Sequence, residues 1–405
     1  MAPTDLAPAP HIDIATAIIA SGIADQPVTN LVETAMQRLV AAGLPLHRMQ
    51  VGFRILHPLF DGMSIIWTEE AGVEVEYFEA IDEDGSAFRL SPFYYMLTND
   101  LTELRLHLER DAIVDRFPLL AEFRGRGLTD YLAMIVAFGG EAMSPETHNG
   151  LGISWSTRAA QGFSPADVAA MRQVLAPLAL ALRVVIKDQI TRNALNTFHG
   201  PLIGGRILSG TIKRGAGERL AAALWYSDLR NSTGLADALP VDTFLDLLNL
   251  YFDCAAGAVT EEGGQVLDIV GDAILAFFPV AEGEAAEAEA CASALRTALG
   301  AQARLSALNS AGNLRAKSIK FGIGVHFGDV VFGNAGTADR LKFGVIGRAV
   351  NEVARMADMA KYLQRAIVAS DHVATRVGSG AVLADLGAHD LRGIPTPRRL
   401  WSFEV

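Results

Sequence analysis

The chain has 405 residues, half of them hydrophobic, which is enough for two or three domains with sizeable cores. Its formal net charge is −12, so nucleic acid is not an expected partner. The two cysteines, Cys254 and Cys291, lie in apolar helical segments, which excludes a disulfide framework and predicts buried reduced thiols. The first residues lack the basic start of a signal peptide, and the run "VLAPLALALRVVI" is short and interrupted by Arg183. The sequence therefore predicts a cytoplasmic protein without a membrane span.

The first half of the chain alternates between helical and strand patterns. A helix is predicted over 13–42, followed by strands in "MQVGFRIL", "MSIIWTE" and "VEVEYFE". A second helix is predicted over 102–122, then strands in "DYLAMIVAF" and "GLGISWST". A long helix follows, with Ser164 as its N-cap and Pro165 at its first position. Pro177 is expected to kink this helix.

The end of this half, "ISWSTRAAQGFSPADVAAMRQVLAPLALAL", resembles the last strand, the Gly-Phe-Ser turn and the exit helix of a GAF domain. The resemblance implies a GAF-like sensor or regulatory domain over 1–190, with an unknown small-molecule ligand or a role in dimerisation. This half has no cysteine, so a thioether-linked bilin is excluded. His57 could contact the ligand, or it could only begin a turn before Pro58. Residues 191–217 are rich in glycine and basic residues and are predicted to be a linker.

Two aspartates follow apolar strand segments in the second half. Asp228 ends "AAALWYSD", and Asp272 lies in the strand, turn and strand pattern "VLDIVGDAILAFF". A pair of carboxylates at the ends of adjacent strands can hold divalent cations such as Mg²⁺, which prefer oxygen ligands and bridge substrate phosphates. The turn "LRNST" after Asp228 opens a helix, whose free amides could bind an anion. Each aspartate alone could be a turn former or a helix cap, but the two together favour the metal site.

Residues 218–405 closely resemble the catalytic domain of class III nucleotidyl cyclases, the adenylate and guanylate cyclases. The motifs that carry the resemblance are "YSDLRNST", "GGQVLDIVGDAILAFF", "GVHFGDVVFGN", "VIGRAVNEVARM" and "LRGI". The resemblance implies a ferredoxin-like fold, so the whole chain is expected to be α/β (α+β). It also implies a head-to-tail homodimer with two active sites at the interface.

The resemblance assigns a role to each group of matching residues. The metal group would hold two Mg²⁺ or Mn²⁺ ions per site, the catalytic group would act on ribose and phosphates, and the loop group would bind phosphate. From the partner chain, Asn351 would orient the ribose and Arg355 would stabilise charge on the reacting phosphate. The metal group is Asp228, Asp272 and Leu229, the catalytic group is Asn351, Arg355 and Arg392, and the phosphate-binding loop is Asn231, Ser232 and Thr233.

The base-reading positions depart from the family pattern. Adenylate cyclases typically have Lys at the position of Asp268 and Thr or Asp at the position of Gly344, and related bacterial cyclases often have Asp at the position of Lys342. Positions 342 and 344 share one face of a strand. The exchange of charge between 268 and 342 predicts a salt bridge; the alternative is independent drift with loss of base selectivity. A carboxylate at 268 also suits guanine, whose N1–H and amino groups both donate.

The resemblance favours an adenylate cyclase that converts ATP to 3',5'-cyclic AMP and pyrophosphate. A guanylate or base-unselective cyclase is the alternative, because of Asp268 and Gly344. A third possibility is a catalytically weak dimeric signalling protein that only binds nucleotide. Nucleotidyl transfer to a second substrate is disfavoured by the motif "VNEVAR".

Overall fold

The computed structural model describes residues 10–24, 26–79, 86–139, 143–144, 149–280, 283–311, 318–377 and 383–403. The chain divides into two compact units, residues 1–197 and 198–405. Both units combine helices with a largely antiparallel sheet, so the predicted mixed α/β class is confirmed.

The first unit is built on a six-stranded antiparallel sheet with the order β3-β2-β1-β6-β5-β4. Its strands are β1 Arg48–Arg54, β2 Phe60–Thr68, β3 Gly72–Glu79, β4 Glu103–His107, β5 Asp130–Ala137 and β6 Gly150–Thr157. Its helices are α1 Pro10–Ile23, α2 Val28–Ala41, α3 Ser86–Arg89, α4 Pro92–Thr98 and α5 Pro118–Gly125, with a 3₁₀ helix at Ala112–Arg116. Most of α6 Pro165–Leu208 also belongs to this unit, and its last residues, 198–208, belong to the second.

Two helix predictions in this unit are wrong in part. The predicted helix over 13–42 is two helices, because the chain is extended at Pro27, whose ψ is 142°. The predicted helix over 102–122 begins instead with β4, which pairs with β5 from Glu103 opposite Met134. Backbone pairing between segments distant in sequence outweighs the weak local preference of this segment. The five strands predicted in this unit are confirmed.

The long helix α6 begins as predicted. The amide of Asp167 donates to Ser164 Oγ at 3.1 Å, and the amide of Ser164 donates to Asp167 Oδ2 at 2.7 Å, which is a capping box. Pro177 keeps helical backbone dihedrals, and the break within α6 is at Gly200, with φ 78° and ψ 158°, which was not predicted. Glycine tolerates this positive φ, and the following Pro201 favours an extended ψ before it.

Helix α6 buries one face at the spacing of helical turns. Met171, Val174, Leu178 and Leu182 are fully buried in the core of the first unit. Contrary to the expectation from sequence, the helix is long and apolar enough to cross a membrane. Half of its most apolar window is buried inside the structure, however, as in the core helix of a globular protein, which passes the same test.

The second unit is built on an eight-stranded sheet with the order β13-β14-β12-β10-β7-β9-β8, and β11 pairs with β10. Its strands are β7 Gly217–Leu229, β8 Gln265–Val270, β9 Ala273–Pro279, β10 Phe321–Gly336, β11 Leu341–Ile346, β12 Ile367–Ser370, β13 Leu383–His389 and β14 Arg398–Phe403. Its helices are α7 Ser232–Ala238, α8 Val241–Glu261, α9 Glu284–Ser310, α10 Arg348–Tyr362 and α11 Asp371–Val377.

Alternate residues of the central strand β7 face opposite sides of this sheet. Trp225 packs in the core that includes Tyr251 of α8 and Cys291 of α9. Leu224 packs in a second core that includes Val353 of α10. Helices α8 and α9 therefore cover one face and α10 the other. Cys254 and Cys291 are buried free thiols, as predicted.

Candidate active site

Asp228, near the end of β7, and Asp272, in the turn before β9, lie at the same end of two neighbouring strands in the second unit. Asp228 is opposite Ala273 in the antiparallel pair β7–β9, and the amide of Leu229 donates to the carbonyl of Asp272 at 3.2 Å. Gly271 and Asp272 form the two-residue turn of the β8–β9 hairpin, where Gly271 has φ 63°. The register of the sheet thus brings the two predicted metal ligands together.

The electrostatics of this pair fit a cation site. Burial, followed by the charges of Asp272 and Asp358, raises the pKa of Asp228 to about 6, and Lys361 opposes the shift. In the described part of the chain no cluster of three or more His, Cys, Asp or Glu side chains could hold a metal. Two carboxylates are nevertheless the usual protein contribution to Mg²⁺ when substrate phosphates supply other ligands. The side chain of Leu229 is an aliphatic group with no ligand atom and packs in the core, so Leu229 could contribute only its main-chain oxygen.

The raised pKa predicts that Asp228→Asn stabilises the metal-free protein at neutral pH. A pKa raised from 3.8 to about 6 gives stability that is present below pH 4 and lost as the pH rises through 6. After a discount for partial exposure, removing the charge should add about 1 kcal/mol to the free energy of unfolding at pH 7.5, or roughly 2–4 °C. Thermal unfolding in EDTA checks this. The gain should shrink toward pH 4 and be absent in the exposed control Asp237→Asn; an equal gain at every pH contradicts the prediction.

The predicted phosphate-binding loop follows directly after β7. Asn231 precedes the first turn of α7 in a left-handed conformation, with φ 59°, and Ser232 and Thr233 begin the helix. Arg230, which sequence reasoning missed, anchors this loop. Its amide donates to the carbonyl of Lys320 at 2.8 Å, and its guanidinium donates to the carbonyl oxygens of Ala360 and Arg365. The loop is therefore tied to the end of α10, a contact across 130 residues that no local motif signals.

The predicted salt bridge between Asp268 and Lys342 is confirmed, since Lys342 Nζ contacts Asp268 Oδ2. Strand β11 places Gly344 opposite Gly333 of β10. A Cβ built on Gly344 would meet no atom within 4 Å among the described residues. The Asp268–Lys342 pair thus offers one hydrogen-bond donor and one acceptor. It lies on the same hairpin face as position 344, where a larger side chain than glycine would have room.

The predicted catalytic residues lie on α10 and on a turn. Asn351 is exposed, and Arg355, four residues later on α10, donates from Nη1 to Asp358 Oδ2 at 2.9 Å. Arg392 is exposed in the turn after β13. In the single chain Arg355 thus forms an ion pair with Asp358 on its own helix. A bound phosphate could take the place of the Asp358 carboxylate in this pair.

Comparison with known proteins identifies the class of this unit. Residues 218–398 match the family model described as "Adenylate and Guanylate cyclase catalytic domain". The chain is 28% identical over 156 residues to a terminal-differentiation specific adenylate cyclase of Dictyostelium discoideum, which covers 38% of the chain and 7% of that protein. It is 31% identical over 156 residues to an adenylate cyclase of Anabaena cylindrica, covering 37% of the chain and 29% of that protein.

A solved structure of a bacterial light-regulated adenylyl cyclase is also similar, with 23% identity, a TM-score of 0.47, and coverage of 57% of this chain and 65% of that one. The second unit is a class III adenylate/guanylate cyclase catalytic domain, as its motifs predicted. The chain spans less than a third of the length of the Dictyostelium and Anabaena proteins, so the match concerns this domain.

Proposed function

We propose that the protein is a nucleotidyl cyclase that converts ATP to 3',5'-cyclic AMP and pyrophosphate at sites shared by two copies of the chain. The observation that carries the proposal is the meeting of Asp228 and Asp272 at the same end of two neighbouring strands within a cyclase catalytic domain. The adenylate cyclases among the similar proteins support ATP as the substrate.

In this reaction the ribose 3'-oxygen forms a bond to the α-phosphorus, the bond from that phosphorus to the bridging oxygen breaks, and pyrophosphate leaves. Asp228 and Asp272 would hold divalent ions, which when bound neutralise phosphate charge and favour loss of the 3'-hydroxyl proton. Asn351 of the partner copy would orient the ribose. Arg355 of that copy and Arg392 would bind phosphate oxygens and stabilise their charge as the bond to phosphorus forms.

The choice between adenine and guanine as the substrate base has an alternative answer within this proposal. The ion pair of Asp268 with Lys342 presents both an acceptor and a donor to a purine edge. Adenine offers an acceptor at N1 and a donor at its amino group, whereas guanine offers an acceptor at O6 and donors at N1 and its amino group, so the pair can complement either base. A guanylate or base-unselective cyclase is therefore the second candidate, favoured by Asp268.

We further propose that residues 1–190 are a GAF-like regulatory domain for a small-molecule ligand, joined through the linker 191–217 to the catalytic domain. Support comes from the six-stranded sheet, whose last strand β6 leads through the Gly-Phe-Ser turn into α6. His57 stacks on Phe60 with ring centroids 4.9 Å apart, as one wall of a cavity of about 540 Å³ in this unit. The buried free thiols of the second unit agree with a cytoplasmic location.

The proposed activity is tested with the purified full chain, Mg²⁺ or Mn²⁺, and each of the four nucleoside triphosphates. Cyclic products are resolved by mass. We expect 3',5'-cyclic AMP from ATP and less cyclic product from the other nucleotides. Cyclic GMP as the main product would identify a guanylate cyclase instead. No cyclic product from any nucleotide would overturn both the adenylate and the guanylate cyclase proposals.

Shared sites predict recovery of activity on mixing two inactive variants. An Asp272→Ala chain lacks a metal ligand and an Arg355→Ala chain lacks the partner's arginine, so a heterodimer keeps one complete site. At equal amounts about half of the dimers are mixed, each with one of two sites intact, which gives about a quarter of parental activity. Turnover of the mixture, with heterodimers quantified by mass, checks this. Full heterodimer formation without recovery would place both residues in one chain's site.

A further inference from the structure

The catalytic helix α10 carries an almost completely buried carboxylate. Glu352 is 4% exposed and lies between Asn351 and Arg355 in sequence. A buried carboxylate is costly unless cations and hydrogen bonds compensate it. The helical spacing places position 352 on the same face as Ala349 and Met356, but a glutamate in a helix usually faces solvent, so its burial was not predicted.

Two arginines compensate the charge of Glu352, and a histidine lies beside it. Arg348, one turn earlier on α10, donates to Oε1 at 2.7 Å. Arg398 of β14 binds both oxygens, from Nε to Oε2 at 3.2 Å and from Nη2 to Oε1 at 3.1 Å. His326 Nε2 of β10 lies 3.4 Å from Oε2. The cluster thus links α10 to two strands of the sheet on which it packs.

Apart from the Arg230 hydrogen bond to the carbonyl of Ala360 near its C-terminal end, the other contacts of α10 with the sheet are close and mainly apolar. A Cβ on Gly328 would lie 2.8 Å from Cβ of Ala349, and one on Gly324 would clash with the carbonyl oxygen of Val353. The helix therefore lies directly on glycines of β10. Smooth apolar contacts allow small sliding and rotation, whereas a bidentate arginine–carboxylate pair fixes direction as well as distance.

We propose that Glu352 is a positioning residue, which fixes the rotation and register of α10 and so aims Asn351 and Arg355 across the site. The proposal rests on the proposed cyclase function. Asn351 adjoins Glu352 in sequence, and Arg355 is three residues away, so any rotation of α10 about its axis displaces both catalytic side chains together.

The test compares Glu352→Gln with the double variant Glu352→Met, Arg398→Met in the full chain. A neighbouring pair gives the matched control: Arg399 of β14 binds Asp385 at 2.5 Å in a more exposed ion pair, and Arg399→Met removes it. The double variant removes both main charges of the buried pair, which commonly restores stability. Melting temperature, kcat, KM for ATP and hydrogen exchange of the α10 amides are measured for each protein.

We expect Glu352→Gln to lower kcat by roughly ten- to a hundredfold with KM changed less than about threefold. The double variant should regain its melting temperature but not its kcat, and α10 amides should exchange faster in both. Arg399→Met should match the parent. Recovery of kcat together with stability, or parental kcat in Glu352→Gln, would overturn the proposal.

Hydrogen exchange distinguishes failure of the positioning role of Glu352 from failure of the proposed cyclase function. If the parent formed no cyclic product, the cyclase assignment would fail by itself. Unchanged α10 exchange in Glu352→Gln would then also reject Glu352 as the residue that fixes this helix, whatever reaction the domain performs.

Discussion

Replacing Asp228 or Asp272 by alanine should lower cyclisation by about a thousandfold or more while the fold remains intact. Each change removes one of two neighbouring carboxylates, and the remaining one cannot hold the cations against the phosphates. Neither side chain is part of the hydrophobic core, and Asp272 lies in a hairpin turn, so unfolding is not expected.

Initial rates with saturating Mg²⁺ and Mn²⁺ measure the effect, and circular dichroism confirms the fold. The matched control is Asp237→Ala, an exposed aspartate of α7, which should keep parental turnover. Turnover within tenfold of the parent in either Asp228→Ala or Asp272→Ala would remove the two-carboxylate metal assignment. Loss that is equal in the control would point to surface charge instead.

Exchanging the charges of Asp268 and Lys342 is expected to have the next largest effect, on substrate choice. Asp268→Lys alone places two ammonium groups together and should reduce kcat/KM for ATP by roughly tenfold or more, because the purine edge then meets mismatched polar groups. Adding Lys342→Asp restores an ion pair in which the positive charge is at position 268 and the negative charge at position 342. The double variant should recover turnover and prefer ATP more strongly than the parent does.

The comparison needs kcat/KM for ATP and GTP in the parent, both single variants and the double variant. Lys342→Asp alone is the matched control, since it creates a pair of like negative charges at the same place. A double variant no better than Asp268→Lys would show that the ion pair has no part in catalysis. A parent that already prefers ATP by a wide margin would mean that Asp268 does not read guanine.

The Asp268–Lys342 pair also shows how far sequence reasoning reached. The reversed charges at two family positions predicted the contact, and the structure confirms it across 74 residues. Arg230 and Glu352 were not predicted. The partners of Arg230 lie on α10 and the turn after it, and partners of Glu352 lie on β10 and β14. No local pattern in the sequence marks such contacts between distant segments.

The backbone predictions divide in the same way. Strands with strong alternation and the capping box at Ser164 were correct, because short-range hydrogen bonds and side-chain periodicity decide them. The helix over 102–122 was not, because pairing of its first residues with β5 outweighed local preference, and the break of α6 at Gly200 was not predicted.

By itself the sequence determined the class of the catalytic domain and the two aspartates at strand ends, because both depend on residues close together in short motifs. Only the tertiary structure decided that Asp228 has a raised pKa beside Asp272, that Arg230 anchors the phosphate loop, and that Glu352 is buried among cations. These features depend on the register of distant strands and on desolvation, and both arise only when the sheet and α10 pack together.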